Sequence, residues 1–118
     1  MKLKEIAEAL DLKLVTKDLS EDALYAEVEG GYASDLLSNA MGQAQAGMLW
    51  ITMQGHQNVA AVAALIGLAG VIVAGDAPVA DETIRKAGVN DVAVFTTQLS
   101  TYDVVGKLYT MGVVNKQS

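Results

Sequence analysis

Residues 59–75 read VAAVAALIGLAGVIVAG, a run that contains no polar side chain. The way in which this run is buried determines the fold class. It lies inside a longer stretch, residues 36–75, that contains no Asp, Glu, Lys or Arg. A soluble protein of 118 residues needs charged side chains to cover its surface. This third of the chain is therefore expected to be buried in the core, in a partner subunit or in a membrane.

The run is nearly as long as the ~20 apolar residues of a membrane-spanning helix. It is, however, rich in small residues, includes Gly67 and Gly70, and lacks flanking Lys, Arg, Trp or Tyr anchors. We therefore predict a helix over residues 58–68 and a strand over residues 71–74, where β-branched residues cluster. Because this helix is apolar all round, it is expected between two layers, either at a dimer interface or in the core of one subunit.

The rest of the chain alternates short apolar runs with segments of helical periodicity. The predicted strands are residues 12–16, 25–28, 48–53, 71–74 and 92–95, and the predicted helices are residues 3–10, 34–44, 58–68, 82–87 and 100–112. Apolar strands that alternate with helices are typical of a parallel sheet covered on both faces. The sequence thus predicts an α/β fold, a single three-layer domain over residues 1–118 with a mostly parallel sheet flanked by helices.

Single residues are predicted to mark the ends of several helices and strands. Gly30-Gly31 is predicted to form a tight turn that ends the strand 25–28. Ser34 is predicted to cap the next helix, with Asp35 in its first turn. The further predicted boundary residues are Asp81 as an N-cap, Gly88 as a helix stop, Ser100 with Asp103 as a capping box, and Gly112 as the last stop.

Composition limits the function. The net charge is −6 with 8 Lys plus Arg, so the chain has no basic stripe and nucleic-acid binding is not favoured. Hydrophobic residues make up 52% of the chain, which is high for a monomer of this size and favours a homodimer. The chain has no Cys and its first ten residues do not resemble a signal peptide, so a cytoplasmic location is expected, without disulfides or a membrane anchor.

A ligand is expected beyond the carboxyl ends of the parallel strands. Polar or small residues gather there, and the predicted ligand-binding set is Thr52, Gln54, His56, Asn58, Gly75, Asp76, Thr96 and Thr97. Such a rim suits a neutral or singly anionic small molecule, with helix N-termini supplying positive potential. The alternative is that Asn58 is an N-cap and that the threonines are ordinary strand ends.

The sequence provides little for catalysis. His56 is the only histidine and could serve as a general base, but it has no Cys partner and only Asp76 is expected nearby. No His or acidic pair in this rim has metal-ligand spacing, and no phosphate-binding glycine motif surrounds Gly30-Gly31. We therefore predict no metal, no cofactor and no catalytic residue.

Three segments, residues 28–38, 50–58 and 99–103, resemble the small stand-alone members of the DRTGG domain family. The motif residues carried over from the resemblance are Gly30, Gly31, Ser34 and Asp35. Related domains accompany CBS domains in regulated pyrophosphatases, and the resemblance implies a regulatory module rather than a catalyst. We therefore predict a non-catalytic homodimer that senses a small molecule, such as a nucleotide or phosphate compound, or that contacts a protein partner. The alternatives are a small transferase using His56 and a purely structural interaction domain.

Overall fold

The computed structural model describes residues 1–116 of the chain, and the fold is the predicted α/β class. The strands are β1 (Lys13–Leu14), β2 (Gly30–Ala33), β3 (Met48–Thr52), β4 (Gly70–Val73) and β5 (Val94–Thr96). The helices are α1 (Leu3–Ala9), α2 (Glu21–Leu24), α3 (Leu37–Gln43), α4 (Asn58–Ile66), α5 (Asp81–Val89) and α6 (Thr101–Thr110).

The five strands form one sheet in the order β1-β5-β4-β3-β2. β2, β3, β4 and β5 are parallel, and β1 joins the outer side of β5 in the antiparallel direction. The sheet is therefore mostly parallel, as predicted. The short antiparallel strand gives it one edge at which the chain direction reverses.

Two apolar clusters cover the two faces of the sheet. On one face α1 and α6 pack on the sheet, with Ile51, Ile72 and Phe95 pointing toward them. On the other face α3, α4 and α5 cover Trp50 and Val71. Alternate residues of each strand point to opposite faces, so the inner strands are apolar on both sides. Trp50, Ile72 and Val94 are accordingly 0% exposed.

The apolar run 59–75 divides as predicted, into α4 and β4. Gly67 follows α4 with φ of 82°, a left-handed conformation that a residue with a Cβ rarely adopts, and so ends the helix. Within residues 1–116, no helix has the length and apolar character needed to cross a membrane. One side of α4 stays exposed, with Leu65 at 73%, so α4 is not enclosed between two layers of this chain.

The predicted strand 25–28 is wrong. The chain forms α2 just before it, Tyr25 ends that helix, and the strand is instead Gly30–Ala33. The predicted Gly30-Gly31 turn is therefore part of a strand. No helix was predicted between residues 12 and 28, yet residues 21–24 form α2, whose N-cap is Ser20.

Three predicted helix boundaries also differ. The N-cap of α3 is Leu36, so neither Ser34 nor Asp35 belongs to that helix. Ala80 precedes α5 and Asp81 is its first residue, while Gly88 lies inside α5 rather than after it. For α6, Ser100 is the N-cap, and its hydroxyl accepts a hydrogen bond from the Asp103 N–H, which is one of the two bonds of the predicted capping box. Gly112 follows the helix with φ of 94°, as predicted.

Candidate ligand-binding cleft

The connections that follow β4 and β5 leave the carboxyl ends of these neighbouring strands toward opposite faces of the sheet. The chain after β4 enters α5, which packs on the face that holds Trp50, whereas the chain after β5 enters α6 on the face that holds Phe95. Two adjacent connections that part in this way leave a crevice between them, and ligands of open α/β sheets bind in such crevices.

Two backbone hydrogen bonds join the loops that follow these strands. The Gly75 N–H donates to the Leu99 carbonyl at 2.7 Å, and the Asp76 N–H donates to the Thr97 carbonyl at 2.9 Å. Gly75 and Asp76 have φ of 70° and 56°, so both are left-handed. Aspartate tolerates this conformation better than most residues with a Cβ. The tight turn holds the Asp76 side chain beside the β5 loop.

A cleft of about 740 Å³ opens at this place. Its lining includes three of the predicted site residues, Asp76, Thr96 and Thr97. The other lining residues are Ala9, Leu10, Asp11, Lys13, Gln98, Leu99 and Lys107. Two carboxylates and two ammonium groups, together with threonine hydroxyls and a glutamine amide, can hydrogen-bond and ion-pair with a polar ligand.

Both lysines of the cleft were missed by the sequence reasoning. Lys13 belongs to β1 and is paired with Thr96 of β5, because the antiparallel direction of β1 brings its first residue to the carboxyl end of β5. Lys107 projects from the last turn of α6. The cleft is therefore lined by two cationic side chains, whereas the sequence analysis had assigned the positive potential to helix N-termini alone.

The end of β3 is closed rather than open. Thr52 is 0% exposed, and its hydroxyl donates to Asp35 Oδ1 at 2.9 Å and accepts from the Gln54 N–H at 3.0 Å. Asp35 Oδ1 also accepts from the Met53 N–H at 2.7 Å. The hydroxyl of Thr52 is thus fully used in internal hydrogen bonds, and this residue holds the loop in place.

The loop after β3 is fastened to the loop before α5. Gly55 is buried, and its carbonyl accepts hydrogen bonds from the Thr83 hydroxyl at 2.7 Å and from the Ala80 N–H at 3.1 Å. A Cβ on Gly55 would collide with the backbone of Pro78 and Val79. The loop therefore requires glycine at this position.

The remaining predicted site residues of this loop do not line the cleft. Gln54, His56 and Asn58 are exposed on the β3 side. His56 Nδ1 accepts a hydrogen bond from the Asn58 N–H at 3.2 Å, so a neutral imidazole carries its proton on Nε2. The residue before α4 is Gln57, so Asn58 is not the N-cap that the alternative interpretation required.

The Gly30-Gly31 pair has a structural explanation at the outer edge of the sheet. Asn115, which follows α6, uses its side-chain amide to bond both backbone groups of Gly31, at 2.8 Å to the N–H and 3.0 Å to the carbonyl. A Cβ on Gly30 would collide with this amide. Asn115 therefore occupies the open edge of β2, in the way a neighbouring strand would.

The other two motif residues support β3 from the β2 side. The Ser34 carbonyl accepts the indole N–H of Trp50 at 2.8 Å, and the Ser34 hydroxyl accepts the Leu36 N–H. Asp35 contributes the hydrogen bonds to Thr52 and Met53 described above. All four motif residues thus lie in β2 or directly after it, and none of them lines the cleft.

The three carboxyl groups whose pKa is lowered, those of Glu27, Glu82 and Asp91, lie outside the cleft. Hydrogen bonds from the Ser20 hydroxyl and N–H lower the pKa of Asp91. Hydrogen bonding to Lys2 lowers the pKa of Glu27, and the contact with Arg85 lowers the pKa of Glu82. Across residues 1–116, no group of three or more His, Asp or Glu side chains is placed to hold a metal ion.

The fold is similar to that of a solved structure from a bacterial enzyme. It contains the CBS and DRTGG domains of the regulatory region of Clostridium perfringens pyrophosphatase, complexed with the activator diadenosine tetraphosphate. The TM-score is 0.71 at 17% sequence identity, and the match covers 99% of this chain and 51% of that one. The chain thus spans about half the length of its structural neighbour. This likeness supports a DRTGG-like fold.

No family model matches the sequence, and no curated protein sequence matches it either.

Proposed function

We propose that residues 1–118 form one non-catalytic regulatory domain, which senses a small nucleotide or phosphate compound and works as a homodimer in the cytoplasm. The observation that carries the proposal is the cleft where Asp76, Thr96 and Thr97 meet Lys13 and Lys107. A ligand bound in this cleft would contact the loops that follow β4 and β5, together with β1 and α6. Binding can therefore change the position of α6 relative to β1 and to the loops that follow β4 and β5.

The charge arrangement supports a phosphate-containing ligand. Lys13 and Lys107 reach the cleft from two different elements, and ammonium groups are suitable partners for phosphate oxygens. Thr96 and Thr97 add hydroxyls that can donate to the same oxygens. Asp11 and Asp76 would accept hydrogen bonds from donors of the ligand, such as sugar hydroxyls or an exocyclic amine.

The structural neighbour supports a regulatory role. That protein is a regulatory region and is complexed with a nucleotide activator. The present chain shares its fold, and the cleft is large enough for part of a nucleotide. Diadenosine tetraphosphate is therefore a rational first probe.

The geometry favours binding over catalysis by His56. The imidazole lies outside the cleft, and its Nδ1 is engaged by the Asn58 N–H. A transferase would need a base beside the bound substrate. Among the residues that line the cleft, the hydroxyl groups belong to threonines, and one of these, Thr97, already accepts the Leu99 N–H at 3.2 Å.

The test is thermal unfolding of the purified protein with diadenosine tetraphosphate, ATP, AMP, acetyl phosphate or inorganic phosphate. A ligand at 100 times its dissociation constant stabilises the native state by about 2.7 kcal/mol, which raises the melting temperature by several degrees. We expect at least one compound to do so, and we expect Lys107→Ala to weaken its binding about tenfold or more.

Lys86→Ala is the matched control. Lys86 and Lys107 each lie in the last turn of a helix, so their removal has the same effect on the helix dipole. Lys86 is in α5 and does not line the cleft. No melting shift with any of the five compounds, or equal losses in the two variants, would contradict a phosphate-binding cleft.

A further inference from the structure

One broad surface of the molecule carries no charge. The α3–α4 surface consists of the exposed residues of these two neighbouring helices, with Met41, Gly42, Ala61, Ala64 and Leu65 at its centre. Met41 is 54% exposed and Leu65 is 73% exposed. Both helices lie within residues 36–75, which contain no Asp, Glu, Lys or Arg, so neither helix contributes a charged side chain to the surface.

The other long helices expose charged side chains, although α6 also exposes Tyr102 and Tyr109. α5, beside α4 on the same face of the sheet, carries Asp81, Glu82 and Arg85. On the opposite face α6 presents Asp103 and Lys107. All 22 charged residues, 8 basic and 14 acidic, thus lie outside the segment that builds the α3–α4 surface.

We infer that the α3–α4 surface binds the same surface of a second copy of this chain, an inference that rests on the homodimer named in the proposed function. Each copy carries a net charge of −6, so two copies repel when their acidic sides meet. Contact through the α3–α4 surface buries no charged side chain of these two helices, in either copy. The interface is isologous, with the two copies related by a twofold axis.

The side chains at the centre suit this contact. Gly42, Ala61 and Ala64 are small and allow helices of the two copies to approach closely. Met41 and Leu65 supply apolar area, and Met adapts its shape to the opposing surface. The neutral amides at the rim, which are Asn39, Gln43 and Asn58, can hydrogen-bond across the interface without desolvating a charge.

An anionic lipid surface is a poorer occupant than a second copy. The α3–α4 surface provides no Lys or Arg for lipid phosphates, and the net charge of −6 opposes approach to such a membrane.

The test is sedimentation equilibrium of the wild type, Leu65→Lys and Val89→Lys between 1 and 200 μM (about two decades around a micromolar dissociation constant). Val89 is the matched control, because it is 75% exposed and also lies in the last turn of a helix, in this case α5. A lysine in the last turn is compatible with the helix dipole, so both variants are expected to fold. Ala61→Arg, at the centre of the surface, provides a second disruption, and melting curves verify folding.

We expect the wild type and Val89→Lys to reach twice the 12.3 kDa chain mass, and both surface variants to dimerise at least tenfold more weakly. A wild-type dimer that neither Leu65→Lys nor Ala61→Arg weakens would overturn this surface but leave the homodimer intact. A wild type that stays monomeric up to the highest concentration overturns both the surface and the homodimer. Cosedimentation of that monomer with phosphatidylcholine or phosphatidylserine vesicles, lost in Leu65→Lys, would assign the surface to a membrane instead.

Ligand sensing is assayed separately. The melting shift of Leu65→Lys with phosphate compounds reports on the cleft, which contains no residue of α3 or α4. Loss of the dimer with a retained shift would support the surface and the cleft independently.

Discussion

The carboxyl ends of β3 and β5 lie on the same edge of the sheet and carry similar residues, yet one is closed and the other is open. Thr52 at the end of β3 is fully buried and bonds to Asp35 and to the backbone of Gln54. Thr96 at the end of β5 is half-buried and lines a cleft of about 740 Å³. Residue type alone therefore does not distinguish a structural threonine from one that can contact a ligand.

The neighbours of each strand explain the difference. β3 lies between two parallel strands, and the connections on either side of it enter α3 and α4 on the same face, so its end is covered. β5 lies between parallel β4 and antiparallel β1, and the chain beyond it crosses to α6 on the opposite face. A crevice forms where the connections separate.

The strongest way to break the closed end is to substitute Gly55 with alanine. The added Cβ would meet the backbone of Pro78 and Val79, which cannot move without disturbing the loop before α5. We expect Gly55→Ala to lower the free energy of unfolding by about 3 kcal/mol, the upper part of the usual range for overpacking. Urea denaturation followed by circular dichroism measures this change.

Gly106→Ala is the control for that experiment. Gly106 lies in α6, and a Cβ there would meet nothing within 4 Å. Alanine at a helical position of this kind should stabilise the protein by about 0.5–1 kcal/mol. Equal effects of the two substitutions would show that the loop after β3 is not tightly packed.

Substitution of Thr52 and of Thr96 with valine compares the closed and the open strand end directly, with smaller expected changes in unfolding free energy. Thr52→Val removes a hydroxyl that bonds both the Asp35 carboxylate and the Gln54 N–H, so the variant should lose about 1.5 kcal/mol of unfolding free energy. Thr96→Val, at the open end, should change stability by less than about 0.5 kcal/mol. If Thr96→Val proved the more destabilising, the assignment of closed and open ends would be wrong.

Much of the fold follows from local patterns in the sequence. The division of residues 59–75 into a helix and a strand is confirmed, because Val71, Ile72 and Val73 are β-branched and Gly67 ends the helix. The start of α6 was also predictable, since the Ser100 cap is a local hydrogen bond.

The errors arise where distant residues decide the local structure. Two adjacent glycines indicated a turn, whereas Gly30 and Gly31 form an edge strand that pairs with β3. Asn115, from the other end of the chain, occupies the space that a side chain at Gly30 would need and bonds the backbone of Gly31. Asp35 was placed in a helix but bonds to residues at the end of β3.

The candidate site was only partly predictable for the same reason. Asp76, Thr96 and Thr97 could be grouped because the ends of parallel strands meet at one edge. The contribution of Lys13 depends on the antiparallel pairing of β1 with β5, and strand order cannot be read from the alternation of strands and helices. Lys107 depends in addition on how α6 crosses the sheet.

The central claim is that the open end of β5, rather than the closed end of β3, receives the ligand. A titration of ¹⁵N-labelled protein with diadenosine tetraphosphate, followed by backbone amide chemical shifts, tests it most directly. We expect the largest chemical-shift changes at the amides of Lys13, Asp76 and Thr97–Leu99, and only small changes at the amides of residues 52–58. Changes concentrated at residues 52–58, with the β5 loop unaffected, would contradict it.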